Sequence, residues 1–176
     1  MTPLVDLVQS CLEDAGVEWE PGAREGELVV TLPGEKKLKT VASLVAGPDA
    51  LSVSAFVIRK PDENHDEFYR YLLRKNLRLP GLAYATDAMG DVYVTGRVPA
   101  KAVDAAYVDQ LLGVLLEAAD AHFNELLVLG FISSMRKEWD WRVSRGESLR
   151  NLEAFRGILE RDGDPGPGET ASGDAH

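Results

Sequence analysis

One cysteine and three histidines in 176 residues leave little raw material for the commoner kinds of reactive site. Cys11 alone cannot close an intrachain disulfide, and its row with Leu4, Val8, Leu12 and Ala15 at helical spacing makes it an apolar filler rather than a nucleophile. His65, His122 and His176 stand singly, with no Cys/His spacing that would assemble zinc ligands. There is no Walker-type phosphate loop, dinucleotide fingerprint or nucleophile-elbow serine, so no catalytic residue, cofactor or metal is assigned and the chain reads as noncatalytic. Hydrophobic runs fall short of the roughly 18 residues of a membrane span, and the first nine residues carry Asp6 but no basic leader region. Positive charge is scarce as well. With 19 Lys+Arg against 29 Asp+Glu the net charge is −10, which repels nucleic acid phosphates. These absences together point to a soluble protein of the reducing cytoplasm that binds neither nucleic acid nor membrane.

What the sequence does contain is regular apolar patterning. A first helix is expected with Thr2 as cap, Pro3 at its first position and Gly16 as stop. A Pro/Gly-rich connection around Pro21, Gly22 and Gly26 leads to strands over 27–32, 37–45 and 51–59, separated by Pro33-Gly34-Glu35 and Gly47-Pro48-Asp49. Connections this short make the strands antiparallel neighbours. In the third, Leu51, Val53, Ala55 and Val57 share an apolar face, while Ser52, Ser54, Phe56 and Ile58 share the other. Pro61-Asp62-Glu63-Asn64 then opens a helix with Phe68, Tyr71 and Leu72 inward. It ends in Arg70, Arg74 and Lys75, which complement the helix dipole. The acids beside His65 fan around a helix and cannot converge on one ion.

A hairpin follows, 82–86 and 92–98, closed by Asp87-Ala88-Met89-Gly90-Asp91, whose two aspartates read as turn chemistry. Asp104 caps a long helix running to Leu126, in which Gly113 lets another backbone approach, and Gly130 interrupts the pattern. Met135, Trp139 and Val143 mark a further helix, and Leu149, Leu152, Phe155 and Leu159 another. The fold class is therefore α+β, with one antiparallel sheet of about five strands in the order helix, three strands, helix, two strands, helices. A single domain over 1–161 and a disordered acidic tail over 162–176 are expected.

One stretch differs from the rest. Residues 134–146 gather Arg136, Lys137, Arg142 and Arg145 with Trp139 and Trp141 in an otherwise acidic chain. Two readings stand: both indoles pack within the fold, or Arg136, Trp141, Arg142 and Arg145 form a protein-binding surface, because Trp and Arg dominate interfaces. Helical spacing puts Trp139 with Met135 and Val143, and Trp141 about 200° away.

The runs Leu72-Leu73-Arg74-Lys75-Asn76, Ala85 to Arg97 and Arg136 to Ser148, with Pro61 to His65, resemble the actinobacterial branch of the YbjN domain family, labelled sensory transduction regulators. The resemblance covers roughly Glu27 to Phe155. It implies a type III secretion chaperone-like fold and a regulator or chaperone-like adaptor that binds a protein partner and forms a homodimer. It carries no catalytic residues onto this chain. The helices after Gly130 depart from the short chaperone plan. The other class of function is a small-molecule enzyme or ligand sensor with a pocket between sheet and helices.

Overall fold

In the computed structural model, which describes residues 3–160, the fold is α+β with one antiparallel sheet of six strands. The elements are α1 (Pro3–Asp14), β1 (Glu18–Pro21), β2 (Glu27–Pro33), β3 (Lys39–Ala46), β4 (Ala50–Ile58), α2 (His65–Asn76), β5 (Ala83–Thr86), β6 (Val92–Pro99), α3 (Ala105–Leu116), α4 (Phe123–Arg145) and α5 (Arg156–Leu159). The expected Thr2 cap and the 162–176 tail lie outside the described residues. The chain divides into two compact units, with the boundary after Gly130.

In the first unit the spatial strand order is β1-β2-β3-β4-β6-β5. Register explains the core. Val30, Ala42, Ala55, Val94 and Tyr84 lie opposite one another across five strands, and all five are buried. The row one step away, Val29, Ser43, Ser54 and Thr95, is only partly buried, as period-2 alternation requires. α1 buries Leu4, Val5, Val8 and Leu12 and packs on α3, β1 and β3. Gly16, at φ 66, ends it in the left-handed region that favours glycine.

Several expectations are corrected. The sheet has a sixth strand, because Glu18 to Pro21, read as part of a connection, pairs with Leu28 to Thr31. Ile58 does not share the face of Ser52 and Ser54. A register shift between Phe56 and Ile58 sets Ile58 opposite Val92, leaving Phe56 42% exposed and Ile58 buried. The helix expected from Asp104 to Leu126 is broken by a π-helical turn, Glu117–Ala121, and the next helix continues through Gly130. Gly113 is exposed, and a Cβ there would meet nothing within 4 Å. At Gly130, by contrast, a Cβ would lie 2.9 Å from Pro61 Cβ and 3.0 Å from the Phe68 ring. Its carbonyl accepts from the Asp62 and Glu63 N–H groups at 3.0 and 3.2 Å.

β3 starts at Lys39 rather than 37 because the preceding turn folds onto the π segment. Buried Asp120 accepts from the Glu35, Lys36 and Lys37 N–H groups at 2.9, 3.1 and 2.7 Å. Lys37 Nζ in turn donates to the Phe56 and Val57 carbonyls at the bulge, at 3.1 and 2.9 Å. Burial opposes ionisation of Asp120, yet the three N–H groups and Lys37 together hold its carboxyl below the usual range. Burial also depresses the Lys37 ammonium, against the pull of Asp120.

In the second unit, residues 131–160, Phe131, Met135, Trp139, Leu152, Phe155 and Leu159 are buried. Val143, expected beside them, is 55% exposed. It stands in the last turn of α4, just before the chain turns at Gly146 (φ 66).

Candidate functional site

The four residues singled out from 134–146 do not act alike. α4 extends through Arg145, so helical geometry distributes them around its axis. Trp139 is buried, with the Arg156 guanidinium 5.7 Å from its ring centroid. Trp141 is 47% exposed, and the Arg145 guanidinium sits 5.1 Å from its ring. These two form an outward pair of the type that anchors interfaces. Arg142 acts locally. It pairs with Glu138 at 2.8 Å and donates to the Ser148 carbonyl at 2.9 Å, tying the chain after α4 back to the helix. Arg136 is partly buried, five positions and about 140° around the helix from Trp141.

A second feature belongs to the first unit. An open cleft of ≈ 580 Å³ lies where α1 meets the β1–β2 and β3–β4 connections, walled by Val5, Trp19, Leu28 and Pro48. Glu27 at its margin accepts from Arg24 Nη2 at 2.6 Å, from the Arg24 N–H at 3.0 Å and from Ser43 Oγ. The Arg24 and Ser43 side-chain bonds lower its carboxyl to about 2. Glu27 is therefore a fixed anion at neutral pH, and its charge is already matched by Arg24.

The remaining titratable groups have structural work. Asp87 Oδ1 accepts from the Met89 and Asp91 N–H groups at 2.9 and 3.0 Å, and Asp91 Oδ1 accepts from Lys60 N at 2.8 Å. Burial, then Asp14 and Asp104, push the Cys11 thiol up, away from the thiolate a nucleophile needs. His122 is held below its usual value by burial and then by Lys75. Among the described residues no three His, Cys, Asp or Glu side chains group as metal ligands, and no helix is long and apolar enough to cross a membrane.

Sequence reading missed three arrangements. The bond from Ser43 to the Arg24–Glu27 pair and the Lys37–Asp120 corner join residues distant in the chain and leave no local signal. The third was visible in principle: Leu72 and Leu73 are adjacent on a helix and cannot both face inward. Leu72 is buried, and Leu73 is 66% exposed.

Comparison with known proteins gives consistent results. The family profile described as "YbjN: Putative bacterial sensory transduction regulator" matches residues 4–128. Uncharacterized protein Rv0487 of Mycobacterium tuberculosis (strain ATCC 25618 / H37Rv) is 50% identical over 153 residues, covering 85% of this chain and 84% of the relative. Uncharacterized protein ML2442 of Mycobacterium leprae (strain TN) is 53% identical over 137 residues, 78% of this chain and 74% of its own. Among solved structures, the ExsC-ExsE complex aligns with TM-score 0.51 at 16% identity, over 70% of this chain and 92% of the matched chain. The Yersinia pestis type III secretion chaperone SycH, in complex with a stable fragment of YscM2, aligns at 0.48 and 16%, over 66% and 96%.

Proposed function

Because the chain belongs to the YbjN family, we propose that it is a noncatalytic cytoplasmic regulator or chaperone-like adaptor that binds a protein partner through the Trp141 surface of α4. The observation that carries this reading is the Trp141 indole, half in water and flanked by Arg145. A buried tryptophan needs no partner, whereas an exposed one beside an arginine keeps apolar area and directed charge available for contact. Arg142 contributes by tying the chain after α4 to the helix, and Arg136 belongs to the proposed surface at a different angle on α4. The likeness to a fold solved in complex with a second protein is compatible with this reading.

The test is affinity capture from the native host with the full chain, the wild type compared with Trp141→Ala and Arg145→Glu. One protein held by the wild type and lost from both variants, at unchanged thermal midpoint, is expected. Equal recovery from all three would remove the surface from the site.

The same reading includes a homodimer paired through the outer sheet face, where Phe56 remains 42% exposed against Tyr93 in edge contact at 5.6 Å. Light scattering at micromolar concentration is expected to give about twice 19.2 kDa, and a mass of 19.2 kDa would exclude it. A ligand sensor is the second reading, favoured by the cleft beside Trp19 and Glu27. Native mass spectrometry of the protein purified from its host, showing one small molecule at full occupancy, would move the function there.

A further inference from the structure

The three tryptophans of the chain differ in what faces their rings. Trp139 and Trp141 each hold an arginine against the indole, Arg156 at 5.7 Å and Arg145 at 5.1 Å. Trp19 is half-buried, and among the described residues no cation stands over its ring. That ring is one wall of the ≈ 580 Å³ cleft at the β1–β2 and β3–β4 connections, together with Val5, Leu28 and Pro48. The volume suits one small organic molecule. Hydrogen bonds pin the rim: the Ala46 N–H donates to the Gly26 carbonyl at 2.9 Å, and the Gly22 N–H to the Glu27 carbonyl at 2.9 Å. A Cβ at Gly26 would lie 2.5 Å from the Ala46 carbonyl oxygen, so the chain segments already meet there and the space beside them is built into the fold.

The chain that frames this cleft is acidic. α1, β1 and β2 contain no lysine or arginine, while α1 and β1 carry Asp6, Glu13, Asp14, Glu18 and Glu20. Arg24 is the one cation lining the cleft, and its Nη2 is engaged by Glu27 at 2.6 Å and by Ser43 Oγ at 3.0 Å. Glu25 also lines the cleft, is exposed and has no ionic partner among the described residues. Of the cations further off, Arg97 stands three strands from Glu27 in register and Lys101 follows β6, and neither lines the cleft. The aromatic face and the unmatched carboxylate both favour positive charge. We propose that the cleft binds a small organic cation, its ammonium meeting the Trp19 ring and the Glu25 carboxylate and its apolar body lying against Val5, Leu28 and Pro48. A carboxylate ligand fits poorly, because it would have the remaining N–H groups of Arg24 for partners and Glu25 and Glu27 for neighbours. An added strand fits poorly too, because Pro21 has no N–H to give and β1 carries two exposed acids, Glu18 and Glu20. The inference deepens the ligand-sensing reading and makes no use of Trp141.

The experiment titrates the full chain at low salt with phenylbutylammonium and, on the same apolar body, with neutral phenylbutanol and anionic phenylbutyrate. Calorimetry gives the affinities, and the Trp19 indole N–H resonance locates the site. The ammonium is expected to bind one to one, to shift that resonance, and to bind at least about fivefold more tightly than either analogue, a preference that added salt reduces. Glu25→Lys, at an exposed position, should weaken the ammonium at least about fivefold without moving the thermal midpoint, and Trp19→Leu should weaken it by a similar factor. Trp141→Ala should bind it as the wild type does. Equal affinity for the three probes, tighter binding of phenylbutyrate, no binding of the ammonium, or an affinity unchanged in Glu25→Lys overturns the proposal. Protein purified from its host that carries a neutral or anionic small molecule, seen by native mass spectrometry, overturns this inference while upholding ligand sensing. Protein that carries none and binds none of the three probes sinks both.

Discussion

Two tight connections in the first unit are each held by one aspartate, and they differ in where that aspartate comes from. In the β5–β6 connection Asp87 accepts from N–H groups two and four residues further on. In the β2–β3 connection the corresponding work is done by Asp120, from a π-helical turn more than eighty residues away in sequence. The first is exposed and water can replace it. The second is buried, so its loss leaves three N–H groups without their acceptor. The same side chain doing the same job is local grammar in one place and tertiary structure in the other.

The largest expected effect is therefore at Asp120. Asp120→Ala should cost on the order of 3 to 5 kcal/mol in chemical denaturation, because three N–H groups of the turn lose a charged, buried acceptor at once. A loss no greater than that of Asp87→Ala would break the comparison. Acid titration sharpens it. The Asp120 carboxyl lies below its unfolded value, so its contribution is fully present above about pH 4 and is lost as pH falls through the lowered folded value. Glu27, at about 2, acts with the same sign. Denaturant midpoints measured from about pH 5 down to 2 should fall less steeply for Asp120→Asn than for the wild type. Parallel slopes would show that Asp120 does not drive the acid sensitivity.

Gly130→Ala should cost about 1 to 3 kcal/mol, since the added methyl meets the ring of Phe68 and the Pro61 side chain, neither of which can swing aside. A neutral result would mean that α4 and the start of α2 yield easily. Asp87→Ala should cost about 1 kcal/mol, the usual worth of a lost local cap. The smallest stability effect is expected at Trp141. Trp141→Ala should change stability by less than about 1 kcal/mol, because its indole is already half in water.

The contrast between the two aspartates also accounts for what could be read from residues alone. Five of the six strands, the start of α3 at Asp104 and the opposite fates of Trp139 and Trp141 follow from periodicity and turn chemistry within a dozen residues. Glu18 to Pro21 looked like connection because it is short, charged and ends in proline, and it becomes a strand only through pairing with β2. The π turn at Glu117–Ala121 carries the buried Asp120, so the helix breaks where a distant turn takes up its carboxylate. Gly130 resembled a stop and is instead a point of close approach, which only its neighbours could reveal. At the candidate surfaces, exposure of Trp141 was legible from its angle on the helix. That Arg142 belongs to Glu138 and Ser148 was not.

The carboxamide of Asn76 has a wider consequence. It presents an N–H and a C=O to Tyr84 in the way a neighbouring peptide unit would, so the β5 border of the sheet is already answered by a side chain of its own molecule. At Tyr84, therefore, a strand of another copy would have to displace the Asn76 carboxamide before it could pair with this border. A side chain thus does at this border what a further strand would do, and it holds the end of α2 to the sheet in the same contact.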